Sequence, residues 1–423
     1  MSLKKTTTIG FIGMTHLGLV TAIGAAEKGY EVICVDPDHL LINSLKIKKT
    51  QISEPQLNEL WNKNDKRITF TSEAQLIKNC DLVYIAPDIS TDNKGNSDLS
   101  AIDKLMNIAL DSIKQNAVIV ILSQVPPGYT RSKYKDAINL FYQVETLIFG
   151  RAIDRTLYPE RFIVGCFNTE SSLPEVYEEY LRSYACPVLV MRYESAELAK
   201  IAINMFLVST VITTNTLAEL CESIGADWGE IVPALRLDKR IGEYGYLNPG
   251  LGLSGGNLER DLATVVKLSN RYVTDSSVVD AWLHNSSHRK NWIWSIFKKF
   301  EYDKNPDLHI GILGLTYKEN TNSTKNSPAL VFLSHLDHKQ VKVYDPIAPI
   351  NTTSTPVMRV KTPLDAIQGC DILILATPWP EFREISVDFL IKNMPGRVLI
   401  DPYGIFLSQK DKLTDFNHFI LGV

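Results

Sequence analysis

The sequence predicts an α/β protein with two doubly wound parallel-sheet domains joined by a central helical domain built on one long helix. Three observations lead there. Short, continuous apolar runs recur in the same order in both halves of the chain. Helix-length segments separate them, and one helical pattern free of Pro and Gly lies between the halves. Such runs are strands buried on both faces, as a parallel sheet covered by helices requires.

In the first half the runs are Thr8–Ile12, Glu31–Val35, Asp81–Ala86 and Ala117–Leu122. In the second they are His309–Leu313, Gln340–Tyr344, Asp371–Ala376 and Arg397–Ile400. Both sets open on I-G-(F/I)-(I/L)-G, at Ile9–Gly13 and Ile310–Gly314. Both second runs end in Asp-Pro (Asp36-Pro37, Asp345-Pro346), and both third runs begin with Cys-Asp (Cys80-Asp81, Cys370-Asp371). Right-handed crossovers wind each half into an open, Rossmann-like sheet. The long helical pattern runs from Ser195 to Ile224, through Ala196, Ala199, Ile203 and Phe206. Domains are expected at residues 1–190, 191–304 and 305–423, with Asn305-Pro306 at the second boundary. A chain of 423 residues suits two or three domains at roughly 150 residues each.

Hydrophobic residues make up 45% and charged residues 22%, enough to bury large cores. The net charge of −4 is spread along the chain, which argues against a nucleic-acid partner or a membrane surface, since both call for a basic face. No apolar run follows Lys4-Lys5, so no signal peptide is expected. The uncharged stretch Ile201–Ala218 contains Asn204, Ser209, Thr210, Thr213, Thr214, Asn215 and Thr216. That is too polar for a membrane span and reads as a buried interdomain or interface helix. The six cysteines show no C-x-x-C spacing, so no metal site is expected. Buried free thiols in a reducing cytoplasm are.

The strand ending at Ile12 runs into Gly13-Met14-Thr15-His16-Leu17-Gly18 and then a helical pattern. A second strand ends in Asp36 about 20 residues later. In a dinucleotide fold the first Gly makes the tight turn and the last lets helix and strand pack closely. The helix N-terminus receives the pyrophosphate, and the acidic residue accepts from the adenosine ribose. Asp36 disfavours a 2′-phosphate, hence NAD rather than NADP. Thr15 stands where the motif has its middle Gly, and its Cβ and hydroxyl are expected to crowd the dinucleotide. Gly311–Gly314 opens the second half without the later glycines, as in a topological relative adapted to another ligand.

Beyond these turns, the chain resembles the UDP-glucose, UDP-N-acetylmannosamine and GDP-mannose dehydrogenases over nearly its whole length. Gly18-Leu19-Val20, Ser53-Glu54-Pro55, Ser123-Gln124-Val125-Pro126-Pro127-Gly128, Glu145–Ala152 and Pro159-Glu160-Arg161 resemble that family's segments in order. So do Ala196-Glu197-Leu198 with Lys200 and Asn204, Asp238–Gly242 with Arg240, and Pro249-Gly250-Leu251-Gly252. Lys318, Ser327-Pro328-Ala329 and Trp379–Phe382 complete the set. The resemblance implies oxidation of a sugar alcohol to a carboxylate with two NAD, through a cysteine-bound thiohemiacetal and thioester. It also implies a homodimer paired through the long helix, with Arg240 reaching a neighbour's site. Lys200 and Asn204 would stabilise the oxyanion, Asp261 would work with water as a base, and Glu145 would assist hydrolysis. Tyr246, Leu247, Gly250 and Lys318 would join Glu145, Lys200, Asn204 and Arg240 around the nucleotide sugar, a UDP-sugar by default. Gly13, Thr15, His16, Leu17, Gly18, Asp36, Gln124 and Lys325 would line the cofactor.

The equipment is incomplete. Asn257 falls on the family's cysteine within Gly255–Asp261, and an amide cannot form a thiohemiacetal. Gln124 replaces a Thr, Phe149 a Glu, Lys325 an Arg and Tyr403 an Arg. The expected activity is therefore an NAD-dependent oxidation of a nucleotide-sugar CH–OH group, impaired or limited to one two-electron step. The alternative is an inactive nucleotide-sugar-binding or regulatory homologue.

Overall fold

The computed structural model describes residues 7–92, 95–136, 138–336, 340–349 and 356–423, so Lys4 and Lys5 lie outside the described residues. The chain divides into two compact units, residues 1–203 and 204–423.

The first unit holds an eight-stranded sheet of β1 (Thr8–Ile12), β2 (Glu31–Val35), β3 (Ile68–Thr71), β4 (Leu82–Ile85), β5 (Val118–Ile121), β6 (Asn139–Gln143), β7 (Phe162–Cys166) and β8 (Val188–Arg192). Their order is β3-β2-β1-β4-β5-β6-β7-β8, with Ile9 in register with Val32 on one side and Leu82 on the other. Alternate strand residues feed two cores. Phe11, Cys34, Tyr84 and Val120 pack on one face with Leu19, Ile23 and Tyr180. Ile12, Val35, Ile85 and Ile121 pack on the other with Ile102, Met106 and Tyr193. Burial on both faces is why these strands read as unbroken apolar runs.

One pairing departs from the expected parallel sheet: β6 and β7 are antiparallel, Tyr142 opposite Gly165. An antiparallel neighbour needs no crossover. Segment 144–161 therefore stays at the carboxyl edge of β6, the edge on which the glycine turn after β1 also opens.

The second unit holds a six-stranded, fully parallel sheet of β9 (His309–Leu313), β10 (Gln340–Tyr344), β11 (Met358–Arg359), β12 (Ile372–Leu375), β13 (Val398–Ile400) and β14 (Asn417–Phe419). Its order is β11-β10-β9-β12-β13-β14. Helix Trp292–Lys299 packs Trp292, Ile293, Ile296 and Phe297 into one core with Ile310, Ile312, Phe332 and Val341. Of the helices expected as a middle domain, Trp292–Lys299 shares this sheet's core, while Val208, Ile212, Leu262 and Val279 of three others form a cluster of their own; residues 204–304 fall within the second unit.

The long helix spans Tyr193–Ile224, and residue 203 is its last in the first unit. By length and composition it could cross a membrane. Its buried polar side chains, however, are spent on protein: Asn204 on Asp261, Thr214 on the Tyr246 carbonyl, and Asn215 on the Gly250 N–H. The hydroxyls of Thr210, Thr213 and Thr216 donate to carbonyls one turn earlier, which satisfies them without a partner.

Candidate functional site

In the first unit the strand order reverses between β1 and β4, and a doubly wound sheet opens its ligand crevice beyond the carboxyl ends of such a pair. The turn there requires glycine twice. Gly13 has φ +94°, and a Cβ on it would lie 2.9 Å from the Pro87 nitrogen. A Cβ on Gly18 would lie 1.9 Å from the Gly13 carbonyl oxygen. Helix His16–Glu27 starts directly from this turn, with Thr15 as its N-cap residue and Leu17 buried behind it.

Asp36 closes the turn from β2: the Met14 N–H donates to its Oδ2 at 2.8 Å and the Asp38 N–H to its Oδ1 at 2.9 Å. The second unit repeats this bond. The Leu315 N–H donates to Asp345 Oδ2 at 2.7 Å, beyond Gly314. The Asp-Pro repeat seen in the sequence is thus a brace on each glycine turn.

Thr15 turns its hydroxyl onto the loop after β4, donating to the Ala86 carbonyl at 3.4 Å and accepting the Asp88 N–H at 2.7 Å. The His16 ring lies 2.8 Å from Glu54 and 4.4 Å from the Phe149 ring, centroid to centroid. Glu54 also accepts the Gly150 and Ala152 N–H groups at 3.0 and 3.1 Å. It ties the segment before helix Leu57–Lys63 to segment 144–161. Gln124 is half-buried in the turn after β5.

Glu145 and Lys200 meet in this unit as a shielded ion pair, Nζ to Oε2 3.5 Å, with side chains 17% and 14% exposed. Glu145 also accepts the Leu147 N–H. One turn before Lys200, Glu197 is fully buried and accepts the Gly128 and Thr130 N–H groups at 2.6 and 2.8 Å. Burial raises its carboxyl above the ordinary value while these bonds pull it back down.

In the second unit Asp261 is held from both sides. Asn204 Nδ2 donates to Oδ2, and Arg260 Nε donates to Oδ1 at 3.1 Å, with Asp261 1% and Arg260 8% exposed. Asn257 is exposed as the first residue of helix Asn257–Tyr272, so its side chain stands at a helix N-terminus. Gly255 before it, at φ +82°, donates its N–H to the Lys325 carbonyl, and the Lys325 side chain runs along Gly256. Leu247 is buried and its carbonyl accepts from Trp228 Nε1 at 2.7 Å. Tyr246 is half-exposed, Lys318 Nζ stands 5.9 Å from the Tyr317 ring, and Tyr403 donates to the Ala376 carbonyl. Arg240 is 89% exposed and folds back on Asp238 with a bidentate bond, 3.0 and 2.6 Å.

Three domain models of the UDP-glucose/GDP-mannose dehydrogenase family match in chain order. The NAD binding domain covers residues 7–182, the central domain 194–286 and the UDP binding domain 311–408. A UDP-glucose 6-dehydrogenase of Rickettsia typhi is 30% identical over 98% of this chain and 99% of its own length. The chain belongs to the UDP-glucose/GDP-mannose dehydrogenase family. A UDP-glucose 6-dehydrogenase of Bacillus subtilis is 28% identical over 98% of this chain and 93% of its own. In fold, the chain is similar to a UDP-glucose dehydrogenase from Pyrobaculum islandicum: TM-score 0.84, 22% identity, covering 100% of this chain and 99% of that one.

Membership makes the chain an NAD-dependent oxidoreductase acting on a nucleotide-sugar CH–OH. The first unit's turn fits the cofactor at Gly13, Gly18 and the helix start, where a Cβ would close the turn and strand and helix meet directly. Glu54, Glu197 and Asp88 are the residues that sequence reasoning missed as parts of the site's framework. The first two lay inside quoted family segments, and their partners, backbone N–H groups far along the chain, leave no trace in a residue pattern.

Proposed function

We propose that this chain oxidises one CH–OH group of a UDP-sugar by a single two-electron step, releasing an aldehyde or keto-sugar and one NADH. One observation carries this reading: Asn257 occupies the first position of its helix, where the family places its thiol. None of the six cysteines, all free, belongs to that helix or to the loop before it. A carboxamide cannot hold an aldehyde covalently for a second oxidation.

NAD, when bound, supplies the hydride acceptor. In the first unit, the shielded Lys200 ammonium offers positive charge to a developing alkoxide, with Glu145 holding it in place. In the second, the Asn204 amide and the Arg260 guanidinium fix Asp261 in one orientation, ready to accept a proton directly or through water.

The reading extends to a homodimer in the cytoplasm. The long helix leaves Phe206, Leu220 and Ile224 exposed, and Phe206 at 77% is a costly surface for a lone chain. Free, mostly buried cysteines suit a reducing compartment. The test is incubation with NAD and a panel of UDP-sugars, with NADH followed by absorbance and the product by mass. One NADH per aldehyde or ketone is expected. A uronic acid with two NADH would overturn the single-step reading, and binding without NADH would point to a non-catalytic homologue.

A further inference from the structure

The first backbone N–H of the glycine-loop helix already has an anion on it. The His16 N–H donates to Asp88 Oδ2 at 3.0 Å, and the Asp88 N–H donates to Thr15 Oγ1 at 2.7 Å. The carboxylate and the N-cap side chain of helix His16–Glu27 are thereby locked together. Asp88 follows β4 at the point where the strand order reverses, on the rim of the crevice. This is where a dinucleotide fold presents free N–H groups and the positive end of a helix to a pyrophosphate. A carboxylate on the His16 N–H satisfies the same donor that the phosphate would use.

The surrounding charges make this arrangement poised rather than settled. Asp88 is open to solvent on one side, yet the protein packed round it raises its carboxyl above the ordinary value, and Glu145 adds to the rise. The His16 ring, the Thr15 hydroxyl and the His16 N–H pull the other way. That imidazole is itself engaged by Glu54 at 2.8 Å, and the Lys200 ammonium is engaged by Glu145 at 3.5 Å.

We infer that Asp88 is an internal stand-in for the cofactor's pyrophosphate, which NAD must expel from the helix start in order to bind, and that its charge limits NAD affinity. The inference rests on the reading of the first unit as an NAD site. Once expelled, Asp88 loses the His16 donor and lies beside two phosphate charges. Its carboxyl then takes up a proton more readily, so cofactor binding is coupled to proton uptake.

The experiment is calorimetric titration of the full chain with NAD between about pH 6 and about pH 8, in buffers of different protonation enthalpy. The wild type is compared with Asp88→Asn and Asp88→Ser. Asp88→Asn is expected to bind NAD about tenfold more tightly at the high end, the size of one like-charge contact removed. Wild-type affinity is expected to rise as pH falls, with net proton uptake. Both variants should lose that part of the slope. Equal affinity and equal pH slope in all three proteins would overturn the inference and leave the NAD site standing. Weaker binding by both variants would make Asp88 a cofactor ligand instead and overturn it as well. Absence of NAD binding in all three, with unchanged melting, would remove the NAD reading and the inference together.

Discussion

A β-carbon on Gly18 would lie 1.9 Å from the carbonyl oxygen of Gly13. The atom in the way is backbone, so no rotamer relieves the contact, and helix His16–Glu27 would have to move off β1. Gly18→Ala is expected to cost about 3 kcal/mol or more and to abolish NAD binding. Thermal melting and calorimetry would check this. An unchanged NAD affinity would show that the turn tolerates a shifted helix.

Glu54 has a fully buried side chain and accepts from His16, Gly150 and Ala152. Glu54→Ala strands two backbone donors and the imidazole. A loss of roughly 3 kcal/mol is expected, lowering the melting midpoint by roughly 6–12 °C. Glu54→Gln should recover only part of it, because its amide nitrogen faces a donor. A melting curve that does not move would refute the brace.

Asn257→Cys would put a thiol at a helix N-terminus, where the dipole favours thiolate. Uronic acid and a second NADH per sugar are expected to appear in the product mixture where the native chain gives none. If mass spectrometry finds only the aldehyde or ketone, position 257 is not the place where a second oxidation was lost.

Lys200→Met keeps an unbranched side chain one atom shorter and removes the charge that faces Glu145. The rate of NADH formation is expected to fall by about a hundredfold or more, with NAD affinity little changed. A drop in NAD affinity with kcat intact would assign Lys200 to the cofactor instead of the alkoxide.

Burial pushes the Cys80 and Cys370 thiols up to about 12, with Lys114 pulling Cys80 back and Asp371 adding to Cys370. Near pH 8 both are almost wholly protonated and should resist alkylation in the native protein. Cys186, the least buried of the six, is expected to be modified first. Peptide mass mapping of a native-state alkylation course would read the order, and early labelling of Cys80 would contradict it.

The two sheets were legible because strands buried on both faces leave an unmistakable apolar run, as at Val118–Ile121 and Ile372–Leu375. β6 was not, since Asn139–Gln143 mixes polar with apolar residues; β8 was not read either, although residues 188–191 are apolar, and it lies half-exposed at the sheet's edge. The antiparallel turn of β7 had no local signature at all. Glu145, Lys200, Asn204, Asp261 and Asn257 could be named from their motifs. The pairing of Glu145 with Lys200 and of Asn204 with Asp261 could not, because it joins residues 55 and 57 positions apart.

What the sequence determined by itself was the architecture, the glycine turn with Asp36 behind it, and an amide rather than a thiol at position 257. Each of these depends on residue type and short-range spacing, which backbone sterics and helix and strand periodicity translate directly into structure. Only the tertiary structure decided that Asp88 sits on the His16 N–H, that Glu54 spans three segments, and that helix Trp292–Lys299 shares the second sheet's core. Those facts come from long-range packing, which brings donors to acceptors and apolar faces to one another from distant parts of the chain. The free energy of leaving either kind of contact unmade selects the arrangement, and no local pattern records it.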